Sequence, residues 1–155
     1  MSEKVKIKIS RNVVHLPAIA LRGLVVFPNN VVHFEVGRAK SIAAIEAAMR
    51  TNSSVFLVAQ QEMDVEEPTI RDLYAYGVIA EIKQLLKLPN GAMRILVEGL
   101  TRVEVISVVD AVGMNLEAYV AEREDVNDHS NEVEALKRML VETFEQWVLA
   151  SKKVN

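Results

Sequence analysis

Two apolar runs, residues 78–88 and 93–97, are separated only by the turn-forming stretch Pro89-Asn90-Gly91. That arrangement constrains the fold more than any other feature. Proline presets φ near −65° and glycine admits a left-handed backbone, so the stretch reverses the chain and the two runs must pair antiparallel. Two registers are open. A two-residue Asn90-Gly91 turn sets Lys83 opposite Glu98 and Leu86 opposite Ile95, whereas a three-residue loop shifts the pairing. Pro89 lacks the N–H that would close the shorter loop, which favours the longer one.

The same period of two recurs along the chain. Residues 13–20 are β-branched and apolar, with Pro17 marking an edge or a bulge. Residues 31–36, 102–109 and 115–121 alternate, and 54–59 is a short, wholly apolar run that reads as a buried strand. In residues 1–10, Val5, Ile7 and Ile9 alternate with Lys4, Lys6 and Lys8, as an edge strand or a frayed tail would. Phe27-Pro28-Asn29-Asn30 is a turn. Residues 60–71, acidic and carrying Pro68, form a loop.

Residues 38–50 follow another period: Ile42, Ile45 and Met49 recur at helical spacing with alanines between them, predicting an amphipathic helix. A second helical run follows the polar stretch 122–131, and Asn131 and Glu134 stand at capping-box spacing ahead of it. Its stripe is Val133, Leu136, Leu140, Phe144, Trp147 and Val148, widened by Met139, Val141 and Leu149. A lone helix this apolar needs partners. The expectation is that it begins a helical bundle truncated here, and that Phe144, Trp147, Val148 and Leu149 make the chain self-associate, as a dimer for this piece. The fold class is therefore α+β and mostly β. Residues 1–123 form a β domain with one main helix, 124–131 a polar linker, and 132–155 the start of a helical extension.

Composition excludes several function classes. A net charge of −3 over 155 residues provides no basic field for nucleic acid. The absence of cysteine removes disulfides and thiolate metal sites. The N-terminus lacks the apolar core of a signal peptide, and no apolar run approaches the roughly 18 residues of a membrane span. A cytoplasmic protein without membrane contact is expected. No Gly-x-x-x-x-Gly-Lys-Ser/Thr phosphate loop and no Gly-x-Ser-x-Gly elbow occur, and nothing marks a Ser–Lys dyad. His15 and His33 fall in different strands and His129 in the linker, so no metal site is expected. The acidic residues Glu62, Asp64, Glu66 and Glu67 read as a solvated loop.

Several segments together resemble the amino-terminal domain of the Lon family of ATP-dependent proteases. They are Leu21-Arg22-Gly23, Phe27-Pro28, Val36-Gly37-Arg38 with Ser41, Ala59-Gln60, Asp72-Leu73-Tyr74, Gly77, Lys87 to Gly91, and Val97-Glu98-Gly99. Ala20 stands where that pattern often has a second proline. The resemblance implies a PUA-like pseudo-barrel of small twisted sheets and a role in recognising unfolded or degron-bearing proteins, with a contribution to assembly. It also implies that ATP, Mg, the Ser–Lys protease site and a hexameric ring belong to the intact protein, with no cofactor bound by this piece and no catalysis in it.

A reader of unfolded chains needs exposed apolar surface. The candidates are Phe27 and Pro28, on the turn after the apolar loop 24–28, and Leu85, Leu86 and Leu88, since alternation can bury only one face of their strand. Tyr74 and Tyr76 are expected in the core. Two alternatives remain. One is a PUA-like nucleic-acid-binding module using Lys83, Lys87 and Arg94. The other is a stand-alone adaptor or small-ligand binder.

Overall fold

A computed structural model of the chain describes residues 12–112, 114–123, 126 and 128–151; the expected alternating segment at residues 1–10 lies outside them. The chain divides into two compact units, Met1–Arg123 and Glu124–Asn155.

Among the described residues the first unit contains six strands and one main helix. They are β1 (Val13–Leu21), β2 (Val31–Val36), α1 (Ala39–Met49), β3 (Ser54–Ala59), β4 (Tyr76–Lys87), β5 (Met93–Ala111) and β6 (Asn115–Glu122), with a single 3₁₀ turn at Ile70–Asp72. The sheet order is β2-β5-β4-β3-β1-β6, and β5 also pairs with β6. Five strands thus close on themselves and β2 is appended to β5. All pairings are antiparallel except β1 with β3. This is the mostly β, mixed-sheet α+β fold that the alternating runs predict.

The two runs expected at 93–97 and 102–109 are one strand. Its first half lies between β4 and β2, and from Val103 it pairs with β6. Register shifts allow this. Ile79 faces Thr101 while Ala80 faces Gly99, so Leu100 is an extra residue, and Lys83 is extra on β4 in the same way. Such bulges bend and twist a strand without ending it. Nothing in the local residue pattern separates a bent strand from two strands.

The hairpin has the three-residue loop. Leu88 donates its N–H to the Ala92 carbonyl at 2.9 Å and accepts from Gly91 N–H at 3.0 Å, and Gly91 has φ +85°. Leu86 consequently faces Arg94, not Ile95. Pro17 sits in the part of β1 paired with β6, just before the parallel pairing to β3 begins at Ala18.

Alternation along β1 and β3 serves two cores. Ile19, Leu21, Val55 and Leu57 pack with Val36, Ile45, Val78, Ile95 and Val97, while Ala18, Ala20, Phe56 and Val58 pack with Leu16, Leu73, Val103 and Val120. Both faces of β3 are buried, which is why 54–59 is a continuous apolar run. Helix α1 meets this core through Ser41, Ala44, Ile45 and Ala48, and Met49 is exposed. The small residues let the helix approach closely and share the buried face with Ile45; of the expected stripe Ile45 is buried, Ile42 packs against the core and Met49 alone turns outward.

The second unit contains helix α2 (Asn131–Ala150). Its cap is Ser130, one residue before the expected position, whose Oγ accepts from Val133 N–H at 3.3 Å; Glu132 and Glu134 lie in the first turn, where the helix dipole favours them. The Phe144 and Trp147 rings stand 5.7 Å apart, and both side chains are exposed, as is Leu149, with Val148 half-buried. No helix among the described residues is long and apolar enough to cross a membrane.

Candidate functional site

An apolar depression on the first unit is built from three segments that are far apart in the sequence. After β1 the chain turns at Gly23, whose φ is +65°, and runs extended. Successive side chains then alternate: Val26 is buried, while Val25 and Phe27 point outward and are 55% and 52% exposed. The Pro28-Asn29 turn follows, with Asn30 N–H donating to the Phe27 carbonyl at 3.2 Å and Asn29 at φ +65°. Gly99 is essential to this placement. A Cβ added there would overlap the Phe27 carbonyl oxygen, so only glycine lets the loop lie against β5.

The opposite wall comes from the entry to β4. Tyr74 N–H donates to the Ala59 carbonyl at 3.1 Å, and Val105 N–H to the Ala75 carbonyl at 2.9 Å. These bonds hold Tyr74 and Tyr76 at the surface, 54% and 50% exposed, so the expectation that they pack in the core is corrected. Gly77 follows them. Its missing side chain lets β4 lie close against β3, because a Cβ there would overlap the Leu57 carbonyl oxygen and stand 2.5 Å from the Phe56 ring. The resulting groove is about 440 Å³. Leu21, Leu57, Ala59 and Val78 line it below rims formed by Val25, Phe27 and Pro28 on one side and Tyr74 and Tyr76 on the other, with Arg102 also lining it. Phe27 and Pro28 were legible from the sequence as a surface turn. Val25 and the tyrosines were not, because which face of a half-buried segment meets solvent depends on what packs across from it.

Leu85 and Leu86 lie elsewhere, in a separate depression with His33, Arg94, Ile95 and Leu96. Leu85 packs against the first core and Leu86 is exposed, while Leu88 is half-buried at the hairpin loop. Gly99 abuts Phe27 and Arg94 pairs with Leu86. Five positions along a strand separate those two contacts, roughly 17 Å at about 3.3 Å per residue. The residues grouped as one surface by the sequence therefore occupy two.

The polar side chains are committed to structure. Lys83 Nζ lies 2.7 Å from Glu81 and 3.1 Å from Glu98, and Arg94 is paired with Glu35. Glu81 and Glu98 face each other across the ladder, an unfavourable like-charge pair that Lys83 bridges. The hydrogen bond to Glu81, followed by that to Glu98, raises the Lys83 pKa. Two of the three cations proposed for a nucleic-acid patch are thus neutralised within the domain. His15 Nε2 is 2.6 Å from Glu117 and its ring stacks on Tyr119. Among the described residues no group of three or more histidine, aspartate or glutamate side chains is placed to hold a metal.

Arg38 makes the densest polar contact. It donates to Gln60 Oε1 at 2.7 Å, to the Ala20 carbonyl and to the Glu66 carbonyl at 3.4 Å. Gln60 Nε2 in turn donates to the Glu62 and Val65 carbonyls at 3.1 and 3.0 Å. The acidic loop is therefore anchored by its backbone, and its carboxylates face the cations Arg22 and Lys40 at 4.0 and 3.7 Å. Burial, then the neighbouring Arg22 charge, lowers the Arg38 pKa, and Glu66 opposes this. The loop ends in a reciprocal cap: Asp72 accepts from the Thr69 N–H and hydroxyl at 2.7 and 2.8 Å, which lowers its pKa.

Arg38, Gln60, Asp72, Gly77 and Gly99 thus each secure a backbone contact within the first unit. The family model for the ATP-dependent protease La (LON) substrate-binding domain matches residues 15–155. The chain belongs to that family. A Lon protease of Heliobacterium modesticaldum is 46% identical over 147 residues, covering 95% of this chain and 18% of that protein. A Lon protease of Syntrophomonas wolfei is 48% identical over 139 residues, covering 90% of this chain and 17% of that protein. The chain thus spans less than a fifth of the length of these curated relatives. The N-terminal domain of a Mycobacterium avium complex Lon protease superposes with a TM-score of 0.65 at 22% identity, covering 88% of this chain and 72% of that one. The Lon N-terminal domain protein from Xanthomonas campestris gives 0.56 at 20% identity, covering 83% and 74%. This likeness is one of fold. As the Lon substrate-binding domain, the chain carries recognition and not the catalytic modules.

Proposed function

We propose that this domain holds unfolded or damaged segments of cytoplasmic proteins, including degrons, for an ATP-dependent Lon protease. The observation that supports the reading best is the groove edged by Val25, Phe27, Pro28, Tyr74 and Tyr76, in a family of substrate-binding domains. Four large side chains along its two rims, each about half exposed, offer an unfolded chain the apolar contact it lacks in water. Covering such surface is worth about 25 cal/mol per Å². Leu85, Leu86 and Leu88 supply a second, separate contact. In the whole protein, a nucleotide-driven module outside this sequence would draw the held chain toward the protease site.

Affinity is micromolar or weaker, since ordering a flexible chain offsets much of the contact energy. Several domains on one ring add avidity. Helix α2 contributes to assembly through Phe144, Trp147, Val148 and Leu149.

The test is titration with a reduced, unfolded protein, read by changes in backbone amide shifts. Phe27→Ser combined with Tyr74→Ser lowers affinity while the thermal transition survives, and Leu86→Ser has a smaller effect. Unchanged affinity in both variants places recognition elsewhere. Absence of any binding by the wild type assigns the domain a purely structural or assembly role.

A further inference from the structure

Beside the apolar groove, the fold leaves open a strand edge of a different character. Among the described residues β2 pairs only with β5. Its register runs unbroken from Val31 opposite Glu98 to Val36 opposite Met93, so no bulge disrupts it. Its sequence, Val-Val-His-Phe-Glu-Val, contains no lysine or proline. Open edges in soluble proteins are usually blunted by such devices, because unpaired N–H and C=O groups invite another strand. This edge has none of them.

The region next to it reinforces the point. β1 pairs with β6 from Val13 to Ala18 and with β3 from Ala18 to Leu21. Beyond Ala18, the side of β1 away from β3 therefore faces no strand among the described residues, and the Ala20 carbonyl is satisfied by the Arg38 side chain. A depression of about 470 Å³ lies between this end of β1 and the end of β2. Its lining includes Ile19, Leu21, Phe34 and Val36, with Arg22 and Arg38. Gly99 N–H donates to the Asn30 carbonyl. Alternation then turns the backbone groups of Val32 and Phe34 toward β5 and those of Val31, His33 and Glu35 toward the open side.

We propose that β2 binds an extended segment of an unfolded polypeptide by strand addition, main chain to main chain, with alternate apolar side chains entering the depression. Strand addition takes its affinity from backbone hydrogen bonds and only its preference from side chains, which suits a reader of many sequences. The charges favour one class of segment. Glu35 is occupied by Arg94, and at the other end Arg22 and Arg38 both line the depression with Glu66 4.0 Å from Arg22, two positive charges against one negative. A segment with an acidic residue there balances the second guanidinium. In an antiparallel addition, that residue lies near the segment's amino end. The inference rests on the reading that the domain binds unfolded protein, but it uses a different surface from the Phe27–Tyr74 groove.

The test uses the full chain and a peptide of alternating valine and threonine, about ten residues long to exceed the edge of β2, with glutamate second and a dye at its carboxyl end. Two further peptides carry backbone N-methyl groups on alternate residues, one on the odd set and one on the even set. One methylated peptide loses affinity at least about tenfold, because it cannot donate to β2, and the other binds within about twofold of the parent. Amide shifts change at residues 31–36 and 19–22. His33→Pro removes an outward N–H at a position where an edge strand tolerates proline; it weakens binding similarly if the fold survives, and the methylated pair decides the matter if it does not. Replacing the peptide's glutamate by lysine weakens binding. Equal binding by both methylated peptides overturns the proposal, as do shifts confined to Phe27, Tyr74 and Tyr76. Loss of peptide binding on dimerisation through residues 31–36 assigns the edge to a second copy and overturns it too. The methylated pair reads the β2 edge and the Phe27→Ser, Tyr74→Ser variant reads the groove, so failure of the groove reading and failure of this one are distinguishable.

Discussion

Gly99 and Phe27 are locked together. The Phe27 carbonyl occupies the space a Gly99 side chain would need, and the Gly99 carbonyl accepts from the adjoining turn at Asn29 N–H, 2.8 Å away. One glycine on the longest strand thus sets where the rim of the groove stands. Gly99→Ala is expected to cost about 1–3 kcal/mol in chemical denaturation, the range for overpacking, and to weaken binding of unfolded protein in the population that folds. An alanine variant with unchanged stability would contradict this contact.

Lys83 is expected to matter through charge. With Lys83→Met, Glu81 and Glu98 face each other without a cation between them, so stability falls at neutral pH. On the alkaline side the sign follows from the raised Lys83 pKa. The wild type keeps this contribution below the unfolded-state lysine pKa and loses it as pH rises through the higher folded value. Urea midpoints of both proteins across pH decide the point, and a difference that is constant with pH counts against it.

Arg38 is expected to resist replacement by lysine. One ammonium cannot serve Gln60 Oε1 and the Ala20 carbonyl with the geometry of a guanidinium fork. Arg38→Lys should cost roughly 1–3 kcal/mol, the penalty for leaving buried polar groups unpaired. Adding Gln60→Ala should cost less than the sum of the two single changes, because the partners are shared. Additive losses would mean that the two residues act separately.

Helix α2 is expected to drive association. Phe144 and Trp147 form one exposed aromatic pair on it, and two-fold self-contact is the commonest way to cover such a face. Sedimentation should show concentration-dependent dimers that Phe144→Glu with Trp147→Glu abolishes, with the β unit's thermal transition retained. A wild-type chain that stays monomeric at high concentration removes this role for the helix.

Much of the fold is written in local pattern. Period-two runs place the strands and the alanine-rich segment places α1. Pro89 and Gly91 select the loop because their backbone constraints act within a few residues. The family resemblance is carried in the same way by short words such as Gly77 and Gly99, whose spacing is local even though their reasons are not. What the residues alone determined, then, is which segments are strands and helices, where the chain reverses, and to which family it belongs. Only the tertiary structure decided what those segments face. It joined two expected strands into β5 through a bulge at Leu100, turned the buried face of α1 so that Ser41, Ala44 and Ala48 join Ile45 in it and Met49 leaves it, and brought Tyr74 and Tyr76 out beside Phe27. It also separated the Phe27 groove from the leucines of β4 and, among the described residues, left the edge of β2 open. The physical reason is the same in each case. Alternation specifies that one face is buried, but burial is a relation between surfaces far apart in the sequence, and only closure of the sheet sets which surfaces meet.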